Sequence, residues 1–333
     1  MHCNNCAVID SHISQIQSSW QDTQAILGWN SQGPFKIVNN YLEATGENVM
    51  FGGGDPSIHH EPTLMPGQTK SSATLSSVDG LSVGQGIMFT VGGKTGESSW
   101  TTVRSINGNS ITFDPIASVP DAGSKAYFGV IPSDFEIRKN YFVKPRYWNP
   151  KDPSFAGKNY AIKNLFETKS MNRVLLDSNI FEGSWISAQT GYGIIIKSHN
   201  QDGNCPYCFT QDVTFTNNIV KNITSTIMIQ GTESYNDWNK LTPFTKRVKI
   251  ENNLFYNDPT WPEKITRGIT IFNYSSDVQI NHNTIFSTTH TLVANYEDDT
   301  RIPNFVLTNN ILERGYGGLG NVKEGKGYLD TYF

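Results

Sequence analysis

Charge is scarce in this sequence: only 17% of its 333 residues are charged, and 26 basic against 30 acidic side chains leave a net charge of -4. So thin and slightly negative a balance excludes nucleic acid or an acidic membrane as the main partner. No run of about 18 apolar residues occurs, so nothing reads as a membrane-spanning helix. Met1-His2-Cys3-Asn4 leads into neither a basic start nor an apolar core, so no signal peptide is read there. No strand precedes the first repeat and no polar cap follows Asp330-Thr331-Tyr332-Phe333, so both ends are expected to be cuts in a longer chain. Cysteine is limited to four residues in two C-x-x-C pairs, Cys3/Cys6 and Cys205/Cys208. Two such pairs can build a tetrahedral zinc site, Cys-Pro-Tyr-Cys also matches a redox motif, and loop disulfides or idle thiols complete the options.

What the sequence does contain is one phrase repeated: apolar, any, apolar, two variable residues, asparagine, two apolar. It reads Phe35-Lys36-Ile37-Val38-Asn39-Asn40-Tyr41-Leu42, and recurs at 135–142 around Asn140, 174–181 around Asn179 and 213–220 around Asn218. Further copies are 248–255 around Asn253, 278–285 around Asn283 and 305–312 around Asn310, with a degenerate one at 7–14 that puts His12 in the asparagine slot. The intervals are 28, 100, 39, 39, 35, 30 and 27 residues, which apart from the long gap is the range of a solenoid. Period-2 alternation excludes helical repeats. An asparagine that tolerates a left-handed backbone predicts a sharp corner after each strand, and stacked corners would let the amides hydrogen-bond along the stack.

The pattern resembles the right-handed parallel β-helix of pectate lyases, polygalacturonases and phage tailspikes, and more closely the uncharacterised bacterial right-handed parallel β-helix repeat proteins. The expected fold is all-β: a right-handed parallel β-helix solenoid of about eight coils with an inserted small β domain. Residues 1–60 would hold coils 1 and 2, residues 61–131 an inserted β-barrel or sandwich, and residues 132–333 coils 3 to 8. The insertion is read from Ser/Gly/Thr-rich text with the hairpin signal Asn107-Gly108 between two alternating runs. A further strand per coil is expected at 24–28, 48–53, 164–169, 193–197, 226–230, 268–273 and 291–295.

The resemblance implies an exported or cell-surface protein that binds, and as a lyase or hydrolase cleaves, an acidic or neutral polysaccharide. Sugar faces stack on aromatic rings, so Trp29, Trp148, Trp185, Tyr235, Trp238 and Tyr296 are candidate subsite platforms. Elimination needs a base and a proton donor, while hydrolysis needs two carboxylates at a set separation. Polar residues flanking the additional strands supply Glu47, Lys163, Glu167, Lys169 and Lys197 as candidate catalytic groups, among neighbours Glu43, Asp55, Gln189, His199 and Asp202. Register matters, since a one-residue slip moves Glu167 from the outer surface to the core. One alignment gives a mostly apolar outward set of Ile26, Met50, Ile195, Met228 and Val293. His59-His60-Glu61 beside Asp55 has metal-ligand residue types, but the reading calls for no metal and no cofactor. Asp298-Asp299 stands without the Asn-Thr-Asp and Gly-His-Gly signatures of polygalacturonases, which argues against that activity. The alternative is a non-catalytic surface or adhesion protein whose solenoid is a scaffold; oligomeric state is left open.

Overall fold

The computed structural model describes residues 1, 3–231, 244–272, 274–286, 289–294, 302–321 and 325–326. Strands this short, with apolar side chains on one face, can hide that face only against copies of themselves. The chain does this by winding as a parallel β-helix with three walls. The first wall stacks Cys6–Ile9, Phe35–Val38, Ser133–Arg138, Asn172–Asp177, Gln211–Thr216, Lys246–Glu251, Ser276–Asn281 and Val306–Thr308. The second stacks His12–Ile16, Tyr41–Ala44, Tyr141–Val143, Ile180–Ser184, Ile219–Ile223, Leu254–Tyr256, Thr284–Ile285 and Ile311–Leu312. The third stacks Gln24–Gly28, Glu47–Phe51, Phe166–Thr168, Tyr192–Lys197, Ser225–Gln230, Arg267–Phe272, His290–Ala294 and Gly318–Asn321, with Gly325–Lys326 antiparallel at its end. Among the described residues eight coils result, the first one complete with all three strands.

Register is strict because one face is buried. Phe35, Phe135, Val174, Val213, Val248 and Val278 form one inward file, and Leu42, Phe142, Phe181, Val220, Phe255 and Ile285 another. Rings within a file stack, Phe35 on Phe135 at 4.6 Å and Phe142 on Phe181 at 4.5 Å. Each fully buried side chain of this kind contributes about 1.5–3 kcal/mol.

Between the first and second walls runs the asparagine ladder. Asn40, Asn140, Asn179, Asn218, Asn253, Asn283 and Asn310 lie in one file, each amide nitrogen donating to the next Oδ1 at 2.9–3.1 Å. The same Oδ1 also accepts the backbone N–H of the preceding ladder residue, as in Asn140 N to Asn179 Oδ1 at 3.0 Å. Two details differ from the expectation. The left-handed backbone belongs to the residue before the ladder position, with φ of 56° at Asn39, 55° at Lys139 and 57° at Asn217. The first repeat is shifted by one residue: Asp10 takes the left-handed turn, Ser11 fills the slot and its N–H meets Asn40 Oδ1 at 2.9 Å. His12 instead pairs with Tyr41, ring on ring at 4.3 Å. The left-handed corner, rather than the amide alone, fixes the slot.

A second column of left-handed residues opens the first wall: Asp134, Arg173, Asp212, Arg247 and Asp277, all with φ between 53° and 63°. Sign alternates along it, with paired bonds from Arg173 to Asp134 and from Arg247 to Asp212 at 2.6 and 2.8 Å.

Between the third wall of coil 2 and the first wall of coil 3 the chain builds a separate seven-stranded antiparallel sheet. Its order is His59–His60, Ala126–Gly129, Gly86–Val91, Lys94–Asn107, Ser110–Phe113, Ser72–Leu75, Leu64–Met65. Asn107 and Ser110 pair across a two-residue turn in which Gly108 has φ of +55°, where a side chain would be strained. A bridge from Thr63 to Lys125 brings the sheet's two ends together around a core that includes Phe89, Phe113 and Phe128. The Cys-Pro-Tyr-Cys loop of coil 4 plugs into this unit: Tyr207 is fully buried, stacks on His59 at 5.5 Å and hydrogen-bonds its Nδ1 at 2.9 Å. Cys205 pairs with Cys208 and Cys3 with Cys6, so the two C-x-x-C motifs close separately instead of sharing a zinc ion.

Candidate functional site

Coils 2 and 5 turn from second to third wall through one or two residues, but coils 1, 3, 4 and 6 make longer loops there. Residues 17–23, 144–165, 185–191 and 257–266 therefore gather along one edge of the solenoid. Bonds join them: Ser19 Oγ to Asn159 O at 2.8 Å, Tyr160 Oη to Gln17 Oε1 at 2.7 Å, and Arg146 Nη2 to Thr260 O at 2.6 Å. Each loop brings an aromatic residue, namely Trp20, Tyr147 with Trp148 and Tyr160, Trp185, and Trp261. From coil 1 to coil 6 the edge spans about 24 Å at one strand spacing per coil.

Trp148 and Trp185 are 1% and 3% exposed, so they do not stand out as free platforms. They pack with Ile162 and Trp261 as the floor of the edge, Trp148 lying 5.2 Å from Tyr160 and Trp185 6.2 Å from Trp261. The platforms facing solvent are Trp20, 84% exposed, and Tyr147, 41% exposed. A cup of about 220 Å³ opens over this floor, lined by Trp148, Asn149, Tyr160, Trp185, Ile186 and Glu263 among others. At about 30 Å³ per water that is room for roughly seven waters, or one sugar ring. Asn149 Nδ2 in this lining, and the Trp261 indole N–H in the floor cluster, are buried with no hydrogen-bond partner among the described residues. Trp29, half exposed, covers Gly54 near the other edge of the third wall and is separate from this group. Tyr235, Trp238 and Tyr296 lie outside the described residues, as do Asp298 and Asp299.

The five candidate catalytic residues come together on the third wall, but in a closed form. Glu167 aligns with Met50 and Ile195, hence outward, while Phe166 takes the core position. In that outward row Leu27, not Ile26, is the partner of Met50. Glu167 is nevertheless 1% exposed, held by Lys197 at 2.9 Å, Lys169 at 3.9 Å and the Asn164 amide. Lys163 bridges Asp22 and the buried Glu47, the latter at 3.6 Å, and Glu47 also accepts from Gln24 Nε2 at 2.8 Å. Burial opposes the Lys163 ammonium, yet Asp22 and Glu47 outweigh it and hold its pKa above the ordinary lysine value. Glu47 and Glu167 stand three residues apart along the strand direction on adjacent coils, since Val49 pairs with Phe166. That is a backbone offset of about 10 Å along the strand and about 5 Å between coils.

Lys144 sits beneath the same edge. It is fully buried, and its ammonium donates to Ala44 O at 2.7 Å, Gly46 O at 2.5 Å and Asn48 Oδ1 at 3.0 Å, closing the coil-2 corner. Burial pushes its pKa down to about 7, against the pull of Glu47 and Glu43. On the second-wall side Tyr41 donates to Glu43 at 2.9 Å and Tyr141 to Glu182 at 2.5 Å; burial and then these carboxylates push both phenols up. Asn222 bridges Glu182 at 2.9 Å and Asp258 at 2.8 Å.

No family model matches the chain, and no curated protein matches it. Its architecture is similar to that of phage tailspikes. The tailspike protein gp49 from Pseudomonas phage LKA1 is 15% identical with a TM-score of 0.45, over 90% of this chain and 54% of that one. The gp54 tailspike of Acinetobacter baumannii bacteriophage AP22, solved in complex with A. baumannii capsular saccharide, is 15% identical with a TM-score of 0.33, over 93% and 52%. The Pseudomonas phage phi297 tailspike gp61 is 9% identical with a TM-score of 0.24, over 87% and 66%. The chain thus spans about half the length of the first two.

The other candidate surface is a hollow of about 450 Å³ on the first wall, lined by Lys36, Asp134, Glu136 and Arg173 among others. Its charges are closed into the pairs Lys36–Glu136 at 3.5 Å and Arg173–Asp134 at 2.6 Å, and its rings, Phe35 and Phe135, are buried. The edge between the second and third walls, by contrast, has exposed rings and an open cup. Sequence reading missed Trp20, Tyr147, Tyr160, Trp261, Asp22 and Lys144 as site residues. A signal was present: Trp20, Trp148, Trp185 and Trp261 fall six to nine residues after positions Ser11, Asn140, Asn179 and Asn253. The residues His59, His60 and Asp55 go to other partners, Tyr207 with Glu61, Phe128, and Asn204 respectively.

Proposed function

We propose that this chain is a polysaccharide-binding β-helix protein whose ligand lies along the edge between the second and third walls. The observation that carries this reading is an edge to which four loops each bring an aromatic ring, with Trp148, Tyr160 and Trp185 lining a cup the size of one sugar. Stacking on an aromatic face contributes about 0.5–1.5 kcal/mol per ring, so a row of them suits a chain polymer of sugars better than a single small molecule. Two disulfides fit an oxidising, external compartment, so we place the protein outside the cell. Affinity electrophoresis against a panel of neutral, acidic and capsular polysaccharides tests the reading. Retention of the wild type, weakened about threefold to tenfold in Trp20→Ala and again in Tyr147→Ala, is the expected result. Retention by none of the polymers, or variants that match the wild type, would overturn it.

Cleavage by lyase or hydrolase chemistry is the second part of the proposal, and Glu47, Lys163, Glu167, Lys169 and Lys197 are the groups to test. Asp22, 54% exposed in its side chain, gives the Lys163–Glu47 pair its contact with the edge. New reducing ends or unsaturated uronate absorbance that vanish in Glu47→Gln and Lys163→Met would support a catalytic role. A bound polymer that yields neither signal assigns the protein to the non-catalytic class.

A further inference from the structure

The polysaccharide reading leaves the charge of the ligand open, and one loop of the edge speaks to it. In a chain of net charge -4, the loop spanning residues 144–163 carries Lys144, Arg146, Lys151, Lys158 and Lys163 against a single acid, Asp152. Four of these five cations are occupied. Lys144 is caged by carbonyl oxygens, Arg146 meets Asp152 at 2.8 Å, Lys151 meets Glu263 at 2.8 Å, and Lys163 joins Asp22 and Glu47. Lys158 differs. It is exposed, its ammonium lies 5.1 Å over the Tyr160 ring, and it meets no carboxylate among the described residues. Tyr160 in turn lines the cup, its hydroxyl anchored on Gln17 at 2.7 Å.

An ammonium held over an aromatic face beside a sugar-sized cup is poised to meet an anion on the ring that stacks there. Charge on the ligand would replace a weak cation–π contact with an ion pair. Resting on the proposed polysaccharide function, we infer that Lys158 is a specificity-determining residue that takes an anionic substituent of the sugar bound in the cup. Carboxylate and phosphodiester groups share that chemistry. Lys151 lines the cup and is exposed but faces Glu263, and Arg146 faces Asp152, so Lys158, reaching the cup through Tyr160, is the cation of this loop with no carboxylate of its own among the described residues.

The test compares the wild type with Lys158→Gln in titrations followed by tryptophan fluorescence. The probes are a carboxylated polysaccharide, the same polymer with its carboxyls reduced to alcohols, and a phosphodiester-linked glycan. The wild type should bind one of the two anionic polymers about fivefold more tightly than the reduced one, the scale of a single exposed ion pair. Lys158→Gln should lose that factor on the anionic polymer and nothing on the reduced one, and added salt should erase the difference. Which anionic polymer responds identifies carboxylate or phosphodiester. Equal binding of charged and reduced polymers by the wild type would overturn the inference while leaving the polysaccharide reading intact, as would an equal loss on both in the variant. Failure to bind any of the three would overturn both.

Discussion

Asn179 shows how much one side chain holds in this fold. Its Oδ1 accepts the backbone and amide N–H groups of Asn140, and its Nδ2 donates to Ile137 O and Asn218 Oδ1, all within 3.0 Å. Asn179→Ala leaves several buried polar groups unpaired, and urea denaturation should show a loss of about 2–4 kcal/mol. The same change at Asn310, the half-exposed end of the file, should cost less. Equal losses would mean that the ladder is not the source of the stability. Lys144 offers a test with a defined sign. Its pKa falls from 10.5 to about 7 on folding, so between those values the unfolded chain binds more protons and stability rises with pH. The unfolding free energy of the wild type relative to Lys144→Met, read from urea denaturation, should therefore climb from pH 7 to pH 10, with a slope of at most about 1.4 kcal/mol per pH unit. A flat difference would mean that the oxygen cage keeps the ammonium protonated throughout.

At the scale of single elements, the alternating Asp134–Arg173–Asp212–Arg247–Asp277 column sets opposite charges on neighbouring strands, so a slipped register would break the Arg173–Asp134 and Arg247–Asp212 pairs. Its members are half exposed, so each contact is worth little singly. Asp212→Arg should lower stability by about 1 kcal/mol at low salt and much less at 1 M, read from chemical denaturation. The Cys205–Cys208 loop acts on a different element. Tyr207, Cys205, Cys208 and Phe209 pack on Met88 and Trp100 of the inserted sheet. Tyr207→Ala removes this plug, so limited proteolysis should cut within residues 61–131 faster while the solenoid stays resistant. Unchanged cutting would show that the plug does not hold the sheet.

For the whole molecule, the inserted sheet leaves and re-enters the solenoid at nearly one point, where His59 pairs with Gly129 and Val130 N meets Ile58 O at 3.2 Å. Replacing residues 60–128 with a short glycine-serine turn should therefore leave a folded, though less stable, β-helix by circular dichroism and cooperative unfolding. Loss of all ordered β structure would show that the two parts fold only together. The sequence by itself determined the coil: alternate apolar residues, a recurrent asparagine corner and, apart from one long gap, a repeat of 27 to 39 residues leave a chain few other ways to bury its faces, and these are local patterns. It also placed the hairpin at Asn107-Gly108, because that turn is decided by two residues. Tertiary structure alone decided which loops became neighbours, that Trp148 and Trp185 form a floor while Trp20 faces solvent, and that Glu167 points outward yet is sealed by Lys197. Those outcomes depend on register between coils up to about 140 residues apart in sequence, as in Ser19 with Asn159. Side chains that far apart carry no mutual signal until the walls have stacked.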